Sequence, residues 1–385
     1  MPQAKRLTVV AAFLTVAAMA ACSSPAPAPP RPPGVQVARG RCGVGWDKPR
    51  GGDQTIDVHN TDSVTMEVEL VDPASHGIYG EIESLAPGTT RAFHLVLANG
   101  TYAFTCLPDG ADEETGPSVT IKGGPAQGAA AVIPVDETTL APAVKIYRSH
   151  VAAGLATLAG DVGALRTALG SKDRERSRRA WLVAQLAYNR LGAAYDTFGD
   201  SADAIDGMPD GLPGGVHDKD WRGLRRIEYG LWHNESMPAL AALAARLSSD
   251  VASLRGDFDK ERTDPNDLPL RSHEILENTL QFELSGSEDQ GAHAELAIMS
   301  ANLDGTAMVL DAIGPEIQPR YPAWATVRGE LAGLKKLVDG YHHGGAWTPL
   351  QSLPAHDREV LDGRLGRLLE DLAPIAAIGE VRRTQ

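Results

Sequence analysis

The sequence predicts a multidomain protein in which a small β-sandwich precedes an all-α helical bundle. Apolar residues alternate with a period of two before about residue 122, and they follow a helical period of three to four after residue 136. A stretch rich in Gly, Ala and Pro at 123–135 separates the two patterns and is typical of a linker. We therefore assign 41–122 to the sandwich and 136–385 to the bundle.

The N-terminus has the pattern of a lipoprotein signal peptide. Lys5 and Arg6 precede an apolar run that ends in small residues just before Cys22. This run is shorter than the roughly 20 residues that a membrane-spanning helix needs. We expect residues 1–21 to be a signal peptide, Cys22 to carry the lipid, and 22–40 to be a lipidated tether. The protein would then be extracytoplasmic and held to the cell membrane; the alternative is a secreted protein with an incidental cysteine.

The chain carries a formal net charge of −14. Such an acidic balance argues against nucleic acid as a partner, because a phosphate backbone is recognised by positive charge. No apolar run after Ala21 is long enough to cross a bilayer. We therefore expect everything downstream of the signal peptide to lie outside the membrane.

Three short segments in the first half alternate polar and apolar residues in the manner of half-buried strands. They are Thr55–Asn60, Thr65–Leu70 and Thr101–Cys106, and turn signals such as Ala86-Pro87-Gly88 and Ala98-Asn99-Gly100 lie between them. Short strands at this spacing indicate a β-sandwich.

Cys42 and Cys106 are the cysteines that remain after lipidation of Cys22. In an oxidising compartment an exported pair of this kind is most simply a disulfide. The competing interpretation is a metal thiolate, because the strand pattern resembles a cupredoxin, whose copper is held by Cys, two His and usually Met. The loop Leu107–Ala111 after Cys106 contains neither His nor Met. We therefore expect a cupredoxin-like sandwich with a disulfide and without type-1 copper.

The second half contains long stripes of apolar residues at helical spacing. The stripes run over Val144–Leu169, Met237–Phe258 and Leu361–Ile375. Proline and glycine clusters, including Pro265, Pro315 to Pro322 and Gly344-Gly345, divide the region into about seven predicted helices. Because the stripes form the core of such a bundle, function must be sought in its polar residues.

Two pairs of polar residues share a helix face in this half. Arg225 and Glu228 are three residues apart, and His273 and Glu277 are four apart. Carboxylate and imidazole groups on facing helices build the metal sites of helical bundles. The alternative is that each pair is an ordinary surface ion pair.

Two longer segments resemble the EfeO/imelysin-like family. The segment Trp221–His233, with Arg-Arg-Ile-Glu-Tyr-Gly, is similar to its signature helix, and Leu268–Phe282 is similar to a second block of the family. Shorter similarities at Thr197–Asp200, Gly211–Asp218 and Ala301–Thr306 extend the resemblance over nearly all of the helical half. Members of the two-domain type join a cupredoxin-like domain to this imelysin-like bundle, in the order that the periodicity predicts.

The resemblance implies a component of an iron uptake system that works with a membrane iron permease and a haem peroxidase. It implies iron as the bound cation, with Asp196, Asp206, Glu228, His273 and Glu277 as candidate ligands. The family signature is H-x-x-E, whereas Arg225 stands at the first position of this chain, and a guanidinium cannot ligate a metal. Either a weakened or displaced iron site remains, or the chain is a metal-free paralogue that serves as a surface scaffold or partner-binding subunit.

The family has also been labelled as peptidases because of its H-x-x-E motif. A zinc peptidase needs three protein ligands and an activated water, as in H-E-x-x-H or H-x-x-E-H. Neither motif occurs in this sequence, and Arg225 removes the histidine of the signature. The sequence therefore predicts a binding protein and no enzyme.

Overall fold

The structure is a computed structural model that describes residues 34–133, 135 and 137–379. The predicted signal peptide and the predicted lipid attachment at Cys22 lie outside the described residues. The described chain has a β-rich part followed by a helical part, as the change of period predicts.

The β-rich part is built from two sheets. One has the strand order β1-β2-β5, and the other has the order β4-β3-β6-β7, with β8 also paired to β6. The strands predicted from alternation are confirmed as β2, β3 and β6. The bounds of the eight strands are β1 Val35–Val37, β2 Gly52–Asn60, β3 Met66–Val71, β4 Ile78–Leu85, β5 Thr90–Leu97, β6 Gly100–Pro108, β7 Glu114–Thr115 and β8 Val119–Ile121.

The sandwich begins earlier than the sequence predicts. Strand β1 lies inside the range 22–40 that we assigned to the tether, and it pairs in parallel with β2. Three residues are too few to show an alternating pattern, and the Pro-rich residues before them hide the start of the strand. The range 123–135 also contacts the sheets: Ala129 N–H donates to Val96 O, and Val132 exchanges hydrogen bonds with Ile78.

A disulfide joins Cys42 to Cys106 on β6, and it lies in the core of the sandwich. Beside it, the ring of Trp46 meets Phe104 edge-on at 5.0 Å between ring centroids. The cross-link closes a large loop of the chain, which limits the freedom of the unfolded state and so favours the folded sandwich.

The helical half packs around one large apolar core. Helix α1 contacts α2, α6 and α8, and its stripe from Tyr147 to Leu169 is fully buried, as the predicted periodicity requires. The helix bounds are α1 Glu137–Gly170, α2 Arg174–Asn189, α3 Tyr195–Phe198, α4 Asp200–Asp206, α5 Leu224–Trp232, α6 Met237–Asp257, α7 Asp267–Asn278, α8 Glu295–Ile317, α9 Trp324–Asp339 and α10 Ala355–Gly379.

Two predicted breaks, at Pro315 to Pro322 and at Gly344-Gly345, separate α8 from α9 and α9 from α10. Pro315 itself lies inside the last turn of α8, which continues to Ile317. Gly344-Gly345 forms the turn of a small hairpin between β9 His342–His343 and β10 Ala346–Trp347. Helix α8 is long and apolar enough to cross a membrane, but 78% of its apolar window is buried, as in the core helix of a bundle.

Candidate functional site

Helix α5 places two charged residues in the interior of the helical domain. Its start is fixed by Gly223, whose φ of +96° favours glycine, and by Trp181, whose Nε1–H donates to Leu224 O at 2.9 Å. Because Leu224, Ile227 and Leu231 are fully buried, helical spacing carries Arg225 and Glu228 inward as well. Their side chains are 2% and 1% exposed.

The guanidinium of Arg225 stands among four carboxylates. Its Nη2 donates to Glu283 Oε1 at 3.0 Å and to Glu288 Oε2 at 2.9 Å. Its Nη1 lies 3.6 Å from Glu228 Oε2, and its Nε lies 3.8 Å from Asp206 Oδ2. We call Arg225, Asp206, Glu228, Glu283 and Glu288 the Arg225 cluster.

The four carboxylates come from separate segments of the chain. Asp206 ends α4, Glu228 lies on α5, Glu283 ends a π-helical turn at Thr279–Glu283, and Glu288 belongs to the loop before α8. A π-turn after α7 is a distortion that recurs at functional sites, and here it carries one of the four carboxylates.

The cluster contains four acidic groups and one basic group, and burial changes the pKa values of several of them. Burial raises the pKa of Glu228 to about 8 and those of Asp206 and Glu283 to about 7, although the charge of Arg225 opposes each shift. Burial alone would lower the pKa of Arg225, but the surrounding carboxylates outweigh it and hold that pKa well above its ordinary value. The arginine is therefore charged, and Asp206, Glu228 and Glu283 take up and release protons near neutral pH.

A cavity of about 250 Å³ adjoins the cluster. Asn189 and Asn302 line it; Asn189 Nδ2–H donates to Asn302 Oδ1, and Gln185 Nε2–H donates to Asn189 Oδ1. The lining residues are Tyr188, Asn189, Gly192, Tyr195, Ala202, Asp203, Asp206, Gly207, Arg225, Arg271, Glu274, Ile275, Asn278, Phe282, Glu283, Glu288 and Asn302. The lining is thus rich in oxygen atoms that can ligate a cation, and no histidine occurs among these described residues.

Several buried oxygens in or next to the Arg225 cluster lack a hydrogen-bond donor in the described part of the chain. They are Asp206 Oδ1, Glu228 Oε2 and Gln185 Oε1. Buried oxygens of this kind are normally satisfied by a donor, by water or by a cation. The donor set suits hard cations, which prefer carboxylate and amide oxygen.

The structure unites only part of the ligand set that the sequence predicts. Glu228 and Asp206 meet in the Arg225 cluster, whereas Asp196, His273 and Glu277 lie outside it. His273 Nδ1 is 3.6 Å from Glu277 Oε2, but Glu277 is 57% exposed, because α7 turns Leu268, Ile275 and Leu276 toward the core instead. Asp196, also 57% exposed, forms an ion pair with Arg271.

Sequence reasoning missed Glu283 and Glu288. They have no periodic relation to Arg225, being 58 and 63 positions away, and one lies in a π-turn and the other in a loop. The available signal is the apolar face of α5. An arginine on that buried face requires acidic partners, and these must come from other segments of the chain.

Comparison with known proteins supports the resemblance. The family model described as Imelysin, of the peptidase class by name, matches residues 143–310. The chain is 24% identical over 299 residues to proteins named "Iron uptake system component EfeO" from Escherichia coli and Shigella flexneri. The matches cover 77% of this chain and 78% of each relative. The chain is therefore similar to EfeO/imelysin-like proteins, and the imelysin match lies in its helical half.

Proposed function

We propose that this EfeO/imelysin-like protein is a component of an iron uptake system that binds iron, or a similar hard cation, at the Arg225 cluster. The observation that carries the proposal is the convergence of four carboxylates on a single arginine beside a polar cavity. The proposed role is binding, and no catalytic role is proposed.

The charge balance of the cluster favours a cation. When all four carboxylates are ionised, one guanidinium leaves three negative charges without a partner. That excess is costly in a buried site and is relieved either by protons, which the raised pKa values provide, or by a cation. A ferric ion bound to Asp206, Glu283 and Glu288 would replace those protons with positive charge.

Arg225 has a structural role in this proposal. It holds the four carboxylates together when no cation is bound, and its two hydrogen bonds orient Glu283 and Glu288. Because the guanidinium occupies the position where the family signature has a histidine, the cation would lie beside Arg225, in the cavity, with lower affinity than in a site with histidine.

The location and the partners follow from the N-terminus and from the resemblance. The pattern at Cys22 supports a lipid anchor on the extracytoplasmic face of the cell membrane. In that compartment the protein would receive iron and pass it to a membrane permease, and it would work with a haem peroxidase of the same system.

The test is a titration of the purified protein with ferric and ferrous iron, zinc, copper and manganese at pH 7.5. Glu283→Gln removes one carboxylate of the cluster, and Glu175→Gln, in an exposed ion pair with Arg178, is the matched control. We expect saturable iron binding at micromolar affinity or tighter in the wild type and in the control, and a loss of about tenfold or more in Glu283→Gln. Glu277→Gln tests the predicted surface pair in the same assay.

The second candidate function is a metal-free scaffold or partner-binding subunit. It is favoured because Arg225 already donates hydrogen bonds to Glu283 and Glu288, so that these two carboxylates have a partner without a metal. If none of the cations binds to a chain shown by circular dichroism to be folded, the cation-binding proposal is wrong and the scaffold remains.

A further inference from the structure

The loop between the π-turn and α8 contributes to the Arg225 cluster and carries a second group of ligands outside it. Glu288 reaches Arg225, and the backbone N–H groups of Gln290 and Ala292 donate to Glu228 Oε1 at 2.9 and 3.2 Å. We propose that three other residues of the loop and of the first turn of α8, Asp289, His293 and Glu295, form a site for a divalent transition-metal cation.

The three side chains are already close enough to share one ion. One ligand atom from each lies within 4.8 Å of the others. His293 Nδ1 is 2.9 Å from Asp289 Oδ2 and 3.9 Å from Glu295 Oε1. The backbone holds this arrangement, because His293 N–H donates to Asp289 Oδ1 at 2.7 Å.

Glu295 provides an independent indication of a ligand. Its side chain is only 6% exposed, its Oε1 lies 3.9 Å from His293 Nδ1, and its other oxygen, Oε2, has no hydrogen-bond partner among the described residues. A buried carboxylate oxygen without a donor is costly, whereas coordination to a cation would satisfy it. His293 is 48% exposed, so that an ion has access to the site from solvent.

The donor set indicates the class of cation. One imidazole nitrogen and two carboxylates suit zinc, manganese or ferrous iron, and they are a poor set for Cu(I), which prefers sulfur. Three protein ligands leave coordination positions for water or for a carried ligand. This site is distinct from the Arg225 cluster, and its existence does not depend on iron binding there.

The loop connects the two sites. Glu288, Gln290 and Ala292 face the Arg225 cluster, whereas Asp289 and His293 face the second site. A cation that joins Asp289 and His293 to Glu295 would fix the loop against α8 and so stabilise the hydrogen bonds to Glu228.

The test is calorimetric titration of the purified full chain with zinc and with manganese at pH 7.5. The variants are His293→Ala, Glu295→Gln and, as a control, His150→Ala, which removes an exposed histidine of α1. We expect His293→Ala and Glu295→Gln each to remove one equivalent of bound zinc or to weaken it by about tenfold or more, with His150→Ala unchanged. Circular dichroism and thermal melting establish that each variant is folded.

The Glu283→Gln variant separates this proposal from the proposed function. Zinc bound at Asp289, His293 and Glu295 should persist in Glu283→Gln even where iron binding is lost. If folded His293→Ala binds zinc with the stoichiometry and affinity of the wild type, or if the wild type binds none at micromolar concentrations, the second site does not exist. His293 and Asp289 then form only a surface ion pair.

Discussion

Arg225 Nη2 donates to Glu283 Oε1 at 3.0 Å, although the two residues are 58 positions apart in the sequence. The contact joins the signature helix α5 to the π-turn that follows α7, and both side chains are nearly inaccessible to solvent. The loss of one partner from a buried ion pair of this kind strongly destabilises the fold, because the remaining charge then has no counterion. The pair therefore couples the stability of the helical domain to the charge of its binding site.

Replacing Arg225 with methionine should destabilise the helical domain. Arg225→Met supplies an apolar side chain but leaves the buried Glu228 and Glu283 and the partly buried Asp206 and Glu288 without their cation, so we expect a loss of about 3–5 kcal/mol in the free energy of unfolding at pH 7.5. Urea denaturation measures the loss. The double variant Arg225→Met/Glu283→Gln should recover part of it, and a single variant as stable as the wild type would contradict the account.

The stability of the domain should fall as the pH rises from 5 to 8. Asp206, Glu228 and Glu283 have folded-state pKa values of about 7, 8 and 7, above the ordinary values of 3.8 and 4.5. The folded state therefore binds more protons than the unfolded state between these values. Each group stabilises the fold fully below its ordinary pKa and loses that contribution as the pH rises through 7 to 8, by up to about 1.4 kcal/mol per pH unit for each group.

Urea midpoints at constant ionic strength, measured between pH 5 and pH 8, test this dependence. The matched control is the triple variant Asp206→Asn, Glu228→Gln and Glu283→Gln, in which these groups no longer titrate. Its profile should be flatter than that of the wild type over this range. Identical profiles would show that the three carboxyl groups do not titrate as described.

Gly223 should tolerate no side chain. A Cβ at this position would lie 2.5 Å from Ile205 O, and the φ of +96° is unfavourable for alanine. We expect Gly223→Ala to cost about 2 kcal/mol and to weaken cation binding, because the start of α5 positions Arg225. Gly256 in α6 has open space around its Cβ position, so Gly256→Ala should stabilise the domain by about 0.5–1 kcal/mol. Equal effects of both variants in thermal melts would contradict the interpretation of Gly223.

Loss of the disulfide should destabilise the sandwich alone. Cys42 and Cys106 are 64 positions apart, and loss of a cross-link that closes a loop of that size should cost roughly 4 kcal/mol through the entropy of the unfolded chain. Denaturation of the oxidised protein and of the Cys42→Ser/Cys106→Ser variant measures the difference in stability between these two proteins. The helical half contains no cysteine, so its unfolding is the internal control, and a large shift in that transition would argue against the assignment.

Periodicity predicts the long helices and three of the eight strands of the β-rich part because burial of one face repeats along the chain. The stripes of α1, α6 and α10 and the alternation of β2, β3 and β6 are regular enough to be read from the sequence. Strand β1 was missed because three residues show no period, and its pairing depends on β2, which is more than ten residues away.

The site could be predicted only as far as a single helix reaches. Arg225 and Glu228 share a face by spacing, and the apolar residues around them place that face inside. Their partners Glu283 and Glu288 come from a π-turn and a loop, where no repeating pattern shows which side chains point inward. His273 and Glu277 also share a face, but α7 turns that face outward, which spacing cannot determine.

We propose that a hard cation binds beside Arg225 among the carboxylates of the cluster. Anomalous diffraction from crystals soaked with ferric iron, collected at the iron absorption edge, tests it most directly. We predict a peak in the cavity lined by Asp206, Glu283 and Glu288, and its disappearance in crystals of Glu283→Gln. Peaks confined to the protein surface, with the Arg225 cluster unchanged, would contradict the claim.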